Sequence, residues 1–243
     1  MGELRVAGLV PGVRIPRGMT RQEVVVRVDG MTSTDRIGLF GGTFHPVHMG
    51  HRAIAESFLC CKLFDELWIL VTPDPPHKPG HRTDMEPFPD RLAMTEAAFA
   101  DLDRVRVSDL EARLASPHFT VHTIRSIRED LPHAKLFYCM GEDSFRSFST
   151  WYLPEEILKE VTLVVAGRPM EGVNGRELAN PVDNIQRMAL EKAVFVDHNP
   201  VDISSSHIRT LLGKGSCGEL ERVLHPDVVS YIHEHGLYQN ETI

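Results

Sequence analysis

The sequence predicts an α/β protein with a mainly parallel sheet, helices on both faces and a small helical part at the C-terminus. From Ile37 onward, short apolar runs alternate with stretches of helical periodicity. Strands separated by helices imply parallel pairing through right-handed crossovers. Each distinctive polar or glycine cluster also follows an apolar run, and open α/β sheets bind ligands beyond the carboxyl ends of their strands.

Ile37–Phe40 reads as a buried strand that runs into Gly41-Gly42, residues able to take dihedrals others resist. Arg52–Lys62 follows as a helix, with Ile54, Phe58 and Leu59 at helical spacing. Glu66–Thr72 is the second strand. Pro73–Pro89 is a long proline-rich loop carrying Pro76-His77-Lys78-Pro79. Asp90–Ala100 reads as a helix with Leu92, Met94, Ala97 and Ala98 as its apolar positions, and Val105–Val107 as a short strand. Thr120 is placed as the cap of a helix over Val121–Glu129. Lys135–Met140 is a strand ending at Gly141-Glu142-Asp143, followed by Trp151-Tyr152 and a helix over Pro154–Lys159. Thr162–Ala166 is a strand ending at Gly167-Arg168-Pro169. Asn184–Lys192 reads as a helix and Val194–Val196 as a strand. Ser206–Leu212 and Val228–His235 close the chain as helices, the last stopped by Gly236.

Residues 1–34 differ from the rest and are read as an N-terminal extension ahead of one domain over 35–243, either loosely attached or the product of an early start site. An edge strand or an interaction arm is the alternative. The 243 residues are 42% hydrophobic and 25% charged with a net charge of −8, an ordinary composition for a soluble protein. That acidity, without a basic block, argues against a sequence-blind nucleic-acid surface. The four cysteines lack metal spacing and read as reduced thiols in a cytoplasmic protein. No run approaches the length of a membrane span, and no secretory signal opens the chain.

Strand, glycine turn and helix start at Gly38–His51 form a phosphate-handling corner, because free N–H groups at a helix N-terminus favour anions. His48 and His51 share a face there and can donate to phosphate oxygens or, when protonated, offset charge. A core or capping role and a zinc site with His45 are the other readings. Ile203-Ser204-Ser205-Ser206-His207-Ile208-Arg209 is a second anion corner, with hydroxyls at a helix start and a guanidinium one turn in. Read alone, it is an N-cap and a surface charge. Lys78 is a third cation. Asp143 can accept ribose hydroxyls or a magnesium-bound water, or cap a turn. Trp151 can stack on a flat ring or fill the core, and Arg168 is a rim or a surface arginine.

Together these segments resemble the bacterial nicotinate-nucleotide (nicotinic acid mononucleotide) adenylyltransferases of the nucleotidylyltransferase superfamily, over about Ile37 to Tyr238. The carriers are Gly41–His51, Pro76–Pro79, Phe119–Val121, Gly141–Ser144, Phe148–Tyr152, Gly167–Pro169, Ile203–Arg209 and Tyr231–Tyr238. The first and seventh mark the superfamily; Trp151-Tyr152 and the closing tail point to the family. The resemblance implies a Rossmann-like fold and transfer of AMP from ATP to nicotinic acid mononucleotide, releasing pyrophosphate, with magnesium arriving through the ATP phosphates and water rather than a protein metal site. It implies that Gly42, Thr43 and Phe44 meet the nucleotide backbone. His48 and His51 hold the phosphates, Ser204, Ser205 and Arg209 their β and γ end, and Gly141, Ile203 and Lys78 complete the ATP set. Asp143 lies by a ribose. Thr120 and Tyr152 receive the nicotinate carboxylate by main-chain N–H, Trp151 stacks on the pyridine and Arg168 lies near the acceptor. Catalysis rests on His48, His51 and Arg209, since the acceptor phosphate is its own nucleophile and positioning with charge stabilisation is what remains to be done.

The chain departs from the family pattern at His45, where Asp is usual, and at Phe119, where Tyr is usual. Two other functions compete: a sister transferase acting on nicotinamide mononucleotide or phosphopantetheine, and a non-catalytic nucleotide-binding protein. No membrane or nucleic-acid partner is implied, and the oligomeric state is not legible.

Overall fold

Strand β2 (Arg36–Gly42) is the centre of the architecture: it pairs in parallel with β3 (Glu66–Val71) on one side and β5 (Lys135–Gly141) on the other. The computed structural model describes residues 13–14, 36–75, 85–167, 183–214 and 217–239. The chain first builds outward from β2 through β3 to β4 (Val105–Ser108), then returns to β5 and builds the other way through β6 (Val161–Ala166) to β7 (Ala193–Val196). These six strands run parallel. Strand β1 (Val13–Arg14) adds an antiparallel edge on β7, with Val13 opposite Val196. The rest of the N-terminal extension, 1–12 and 15–34, lies outside the described residues.

Alternation along the strands divides two cores. Phe40, Leu67, Ile69, Phe137 and Cys139 face one side, under α1 (Met49–Cys60), α2 (Phe88–Phe99) and the later C-terminal helices. Ile37, Leu39, Leu70, Leu136 and Tyr138 face the other, under α3 (Thr120–Asp130), α5 (Pro154–Glu160) and α6 (Asp183–Glu191). Between β5 and α5 lie the short α4 (Glu142–Arg146) and a 3-10 turn, Phe148–Thr150. The C-terminal part is α7 (Ser205–Gly213), α8 (Cys217–Val223) and α9 (Pro226–His235), the last ended by Gly236 in the left-handed region at φ 62°.

Strand order reverses between β2 and β5. Open parallel sheets hold their ligands at such a switch point, beyond the strand carboxyl ends. The ends here are Gly42 and Gly141.

Candidate active site

The turn after β2 corrects the expectation that Gly41 and Gly42 supply its special dihedrals. Both glycines belong to the strand, and the left-handed residue is Phe44, at φ 49°. The glycines are required by proximity instead. A Cβ on Gly42 would lie 2.8 Å from the Phe44 ring, and one on Gly41 2.9 Å from the Tyr138 hydroxyl. The buried Phe44 ring meets Phe40 and His51 edge-on, with centroids 5.9 and 5.0 Å away.

Helix α1 begins at Met49, three residues before the expected start, because His48 takes the N-cap and His51 the first turn. The His48 main-chain N–H donates to His51 Nδ1 at 3.2 Å, which leaves the imidazole proton on Nε2. The two rings lie 3.8 Å apart. Burial lowers the His48 pKa from 6.5 to about 4, and burial together with the neighbouring His48 holds His51 well below 6.5. In the free protein both imidazoles are therefore neutral donors, the first of the two roles open to them from the sequence. An arriving polyanion favours their charged forms.

Ser204 is the N-cap of α7, its Oγ accepting the His207 N–H at 3.2 Å, so the helix starts one residue earlier than expected. Ser205 Oγ donates to the Pro46 carbonyl at 3.0 Å across 159 residues of sequence. Arg209 donates to the His45 carbonyl at 2.8 Å and to Ser206 Oγ at 3.3 Å. The turn after β2 and the start of α7 thus form one wall. Gly42, Thr43, Phe44, His48, His51, Gly141, Asp143, Ile203, Ser204, Ser205 and Arg209 all line one cleft of about 2100 Å³. A typical single-ligand pocket is roughly 300–1,000 Å³, so two nucleotides have room. Asp143 is exposed in α4, whose N-cap is Gly141, so Asp143 is not a cap.

Thr120, Trp151 and Tyr152 gather in a second group that does not line that cleft. Thr120 is the first residue of α3 and Phe119 holds the N-cap position, which corrects the capping assignment. The Phe119 ring stacks on Tyr152 at 4.4 Å, and Trp151 stands edge-on to Tyr138 at 5.7 Å. The Tyr138 hydroxyl, 3.5 Å from Thr120 Oγ1 and against Gly41, joins the two groups. Lys78 and Arg168 lie outside the described residues.

Among the described residues no cluster of three or more His, Cys, Asp or Glu side chains can cage a metal. This includes the His45–His48–His51 option. The exposed Asp143 carboxylate in the cleft fits a magnesium ion that keeps its waters and is held mainly by phosphates.

Three site residues escaped the sequence reading. Arg91 on α2 is fully buried and bonds four main-chain carbonyls around the turn. Its signal is its place at helical spacing with the buried Met94, Thr95 and Ala98, beside Leu92 and Ala97, which pack against the same core half-buried. Glu86 and Tyr238 join the turn to the C-terminal tail: the Tyr238 N–H donates to the Glu86 carboxylate at 2.7 Å. Tyr238 ends the closing tail that carries the resemblance, but nothing in the sequence marks its pairing with Glu86.

A Cytidylyltransferase-like family model matches residues 39–211. A "Probable nicotinate-nucleotide adenylyltransferase" of Synechococcus sp. (strain JA-3-3Ab) is 34% identical over 203 residues, covering 84% of this chain and 94% of that protein. The chain belongs to the nicotinate-nucleotide adenylyltransferase family. Another member, from Pseudomonas aeruginosa (strain UCBPP-PA14), is 35% identical over 214 residues, 84% of this chain and 97% of its own. The fold matches that of Plasmodium falciparum nicotinic acid mononucleotide adenylyltransferase complexed with NaAD, with a TM-score of 0.67 at 19% identity, covering 84% of this chain and 97% of that one.

His45 takes part in the turn through its ring. Its Nε2 accepts the Glu86 main-chain N–H at 3.0 Å, and Tyr238 packs on the ring at 5.3 Å. The imidazole therefore acts as an acceptor, which a carboxylate at this position can also be.

Proposed function

We propose that this chain transfers the adenylyl group of ATP to nicotinic acid mononucleotide, giving nicotinic acid adenine dinucleotide and pyrophosphate in NAD biosynthesis. The observation that carries this reading is the joining of the turn after β2 to the start of α7, through Ser205 to Pro46 and Arg209 to His45. Neither segment grips a triphosphate alone; together they line one wall of the switch-point cleft.

An oxygen of the mononucleotide phosphate attacks the α-phosphorus of ATP, and the bond to the bridging oxygen breaks as pyrophosphate leaves. No side-chain nucleophile is needed. The protein must bring two anions into line and stabilise charge on the transferring and leaving groups. His48, His51 and Arg209 take the transferring and leaving phosphates, with main-chain N–H groups of Gly42–Phe44 and the α7 start around them. Asp143 and Gly141 flank the nucleoside end. Thr120 and Tyr152 offer main-chain N–H groups to the nicotinate carboxylate, with Trp151 as the ring platform. Magnesium entering on the nucleotide neutralises phosphate charge when bound, and Asp143 would hold one of its waters.

The test is a coupled pyrophosphate assay with magnesium-ATP and nicotinic acid mononucleotide, with nicotinamide mononucleotide competing in the same mixture. Pyrophosphate formation preferring the acid supports the reading. Preference for the amide reassigns the acceptor, and so does pyrophosphate formation only when phosphopantetheine is supplied in a parallel reaction. ATP binding without pyrophosphate release overturns transfer altogether.

A further inference from the structure

Arg91 is a charged side chain with no exposed surface, among the largest fully buried side chains of the described residues. Burying a guanidinium costs several kcal/mol unless its donors are satisfied. Here the donors reach main-chain oxygens. Nε bonds Glu86 at 3.0 Å; Nη1 bonds Thr43 at 2.6 Å and Thr72 at 2.8 Å; Nη2 bonds Pro73 at 2.7 Å. These carbonyls belong to the turn after β2, the end of β3 and the entry to α2. A planar fork with five donors reaches all three at once, which a lysine ammonium does not. Burial lowers its pKa to about 10, so it stays charged at neutral pH.

The Thr43 bond has a stereochemical consequence. The Thr43–Phe44 peptide is not among the cis bonds, so its N–H points opposite to its carbonyl. With the carbonyl drawn inward to a buried side chain, the Phe44 N–H turns outward, and Phe44 lines the cleft. Phe44 itself sits at φ 49°, which a phenylalanine adopts only when its surroundings impose it.

We propose that Arg91 is the positioning residue of this turn, holding the Thr43–Phe44 peptide so that the Phe44 N–H faces the cleft as a fixed donor to a phosphate oxygen of ATP. The proposal rests on the adenylyl-transfer reading for its ligand. Arg91 touches no substrate; it acts through the peptide it fixes, so a peptide flip at residues 43–44 is what its loss permits.

The experiment uses the full chain with Arg91→Lys and Arg91→Ala. Affinity for a non-hydrolysable ATP analogue, kcat, both KM values, thermal midpoint and rescue by millimolar guanidinium are measured. The expected result is a loss of about 100-fold in kcat with weaker analogue binding, the size associated with a lost or misplaced donor. The KM for the mononucleotide stays near its wild-type value, and guanidinium partly restores Arg91→Ala. A lower midpoint with wild-type kcat and analogue affinity in the folded fraction would reduce Arg91 to a structural strut and overturn the proposal. A second measurement needs no variant: in the wild-type protein the analogue alone should slow hydrogen exchange at the Phe44 amide, and unchanged exchange there overturns the proposal even if both variants fail to fold. Because analogue binding and exchange require no acceptor, they decide the role of Arg91 even if wild-type protein releases no pyrophosphate and the transfer reading falls.

Discussion

Replacing Gly42 with alanine tests the turn geometry most directly. Gly42 is not among the positive-φ glycines, so alanine meets no dihedral penalty there. The obstacle is the new methyl, 2.8 Å from Phe44 Cζ and 3.0 and 3.1 Å from its Cε2 and Cε1. Carbon–carbon contacts settle at roughly 3.5–4.0 Å, so the ring must retreat by about 0.7 Å. It has nowhere to go: it is 2% exposed and wedged between Phe40 and His51. Overpacking of this kind costs about 1–3 kcal/mol, and each kcal/mol lowers the melting point of a protein this size by about 2–4 °C. The displaced ring pushes toward His51 and carries the Phe44 N–H with it, and a misplacement approaching 1 Å costs about 100-fold in rate. Pyrophosphate release under saturating substrates, well below the melting point, reads the second effect apart from the first. The double variant Gly42→Ala/Phe44→Leu should recover stability that Gly42→Ala loses, because the clash is pairwise. Wild-type kcat and melting point in Gly42→Ala would refute the claim that this glycine is dictated by the ring opposite it.

Three further outcomes are expected. His51→Ala should lose about 100- to 1,000-fold in kcat with its circular dichroism intact, since it removes one donor from the cleft and one acceptor from the His48 N–H. His48 binds its proton at about 4 when folded and at about 6.5 when unfolded, so stability should be fully present above pH 6.5 and fall by up to about 3 kcal/mol as pH drops toward 4. Thermal melts across that window should show a shallower slope for His48→Gln, and calorimetry in buffers of different ionisation enthalpy should detect proton uptake on ATP binding, because phosphates favour the charged imidazoles. His45→Asp keeps an acceptor for the Glu86 N–H and should retain kcat/KM within about tenfold, whereas His45→Ala leaves that donor unpaired and should cost about 1–3 kcal/mol in denaturant unfolding.

The sheet was legible because buried parallel strands write themselves as apolar runs, and every strand read from Ile37 onward is present within about two residues. Boundaries moved where polar residues took backbone roles that composition does not announce. His48 caps α1 though it is not a usual capping residue, while Thr120, which is one, sits inside α3. The two helix-start motifs were legible, and so was their convergence on one rim, but the bonds that join them were not, since nothing local in Ser205 points to the carbonyl of Pro46. The sequence left the charge of the two histidines open for the same reason: an imidazole's charge depends on what surrounds it, and the crowding of His48 against His51 exists only in three dimensions. Arg91 was passed over because a charged residue in an apolar stripe is usually assigned to solvent, and only the ring of carbonyls around it explains its burial.

The bond from Ser205 to Pro46 spans most of the chain, with every strand from β3 to β7 lying between its partners in sequence. A ribosome that has released only the first two-thirds of this polypeptide has made one jaw of the proposed nucleotide clamp and not the other. Tight ATP capture should therefore arrive late in synthesis and all at once, when the closing helices dock. From then on, a nucleotide bound at concentration [L] favours the native form by RT ln(1 + [L]/Kd), so the substrate itself helps to keep the finished chain folded.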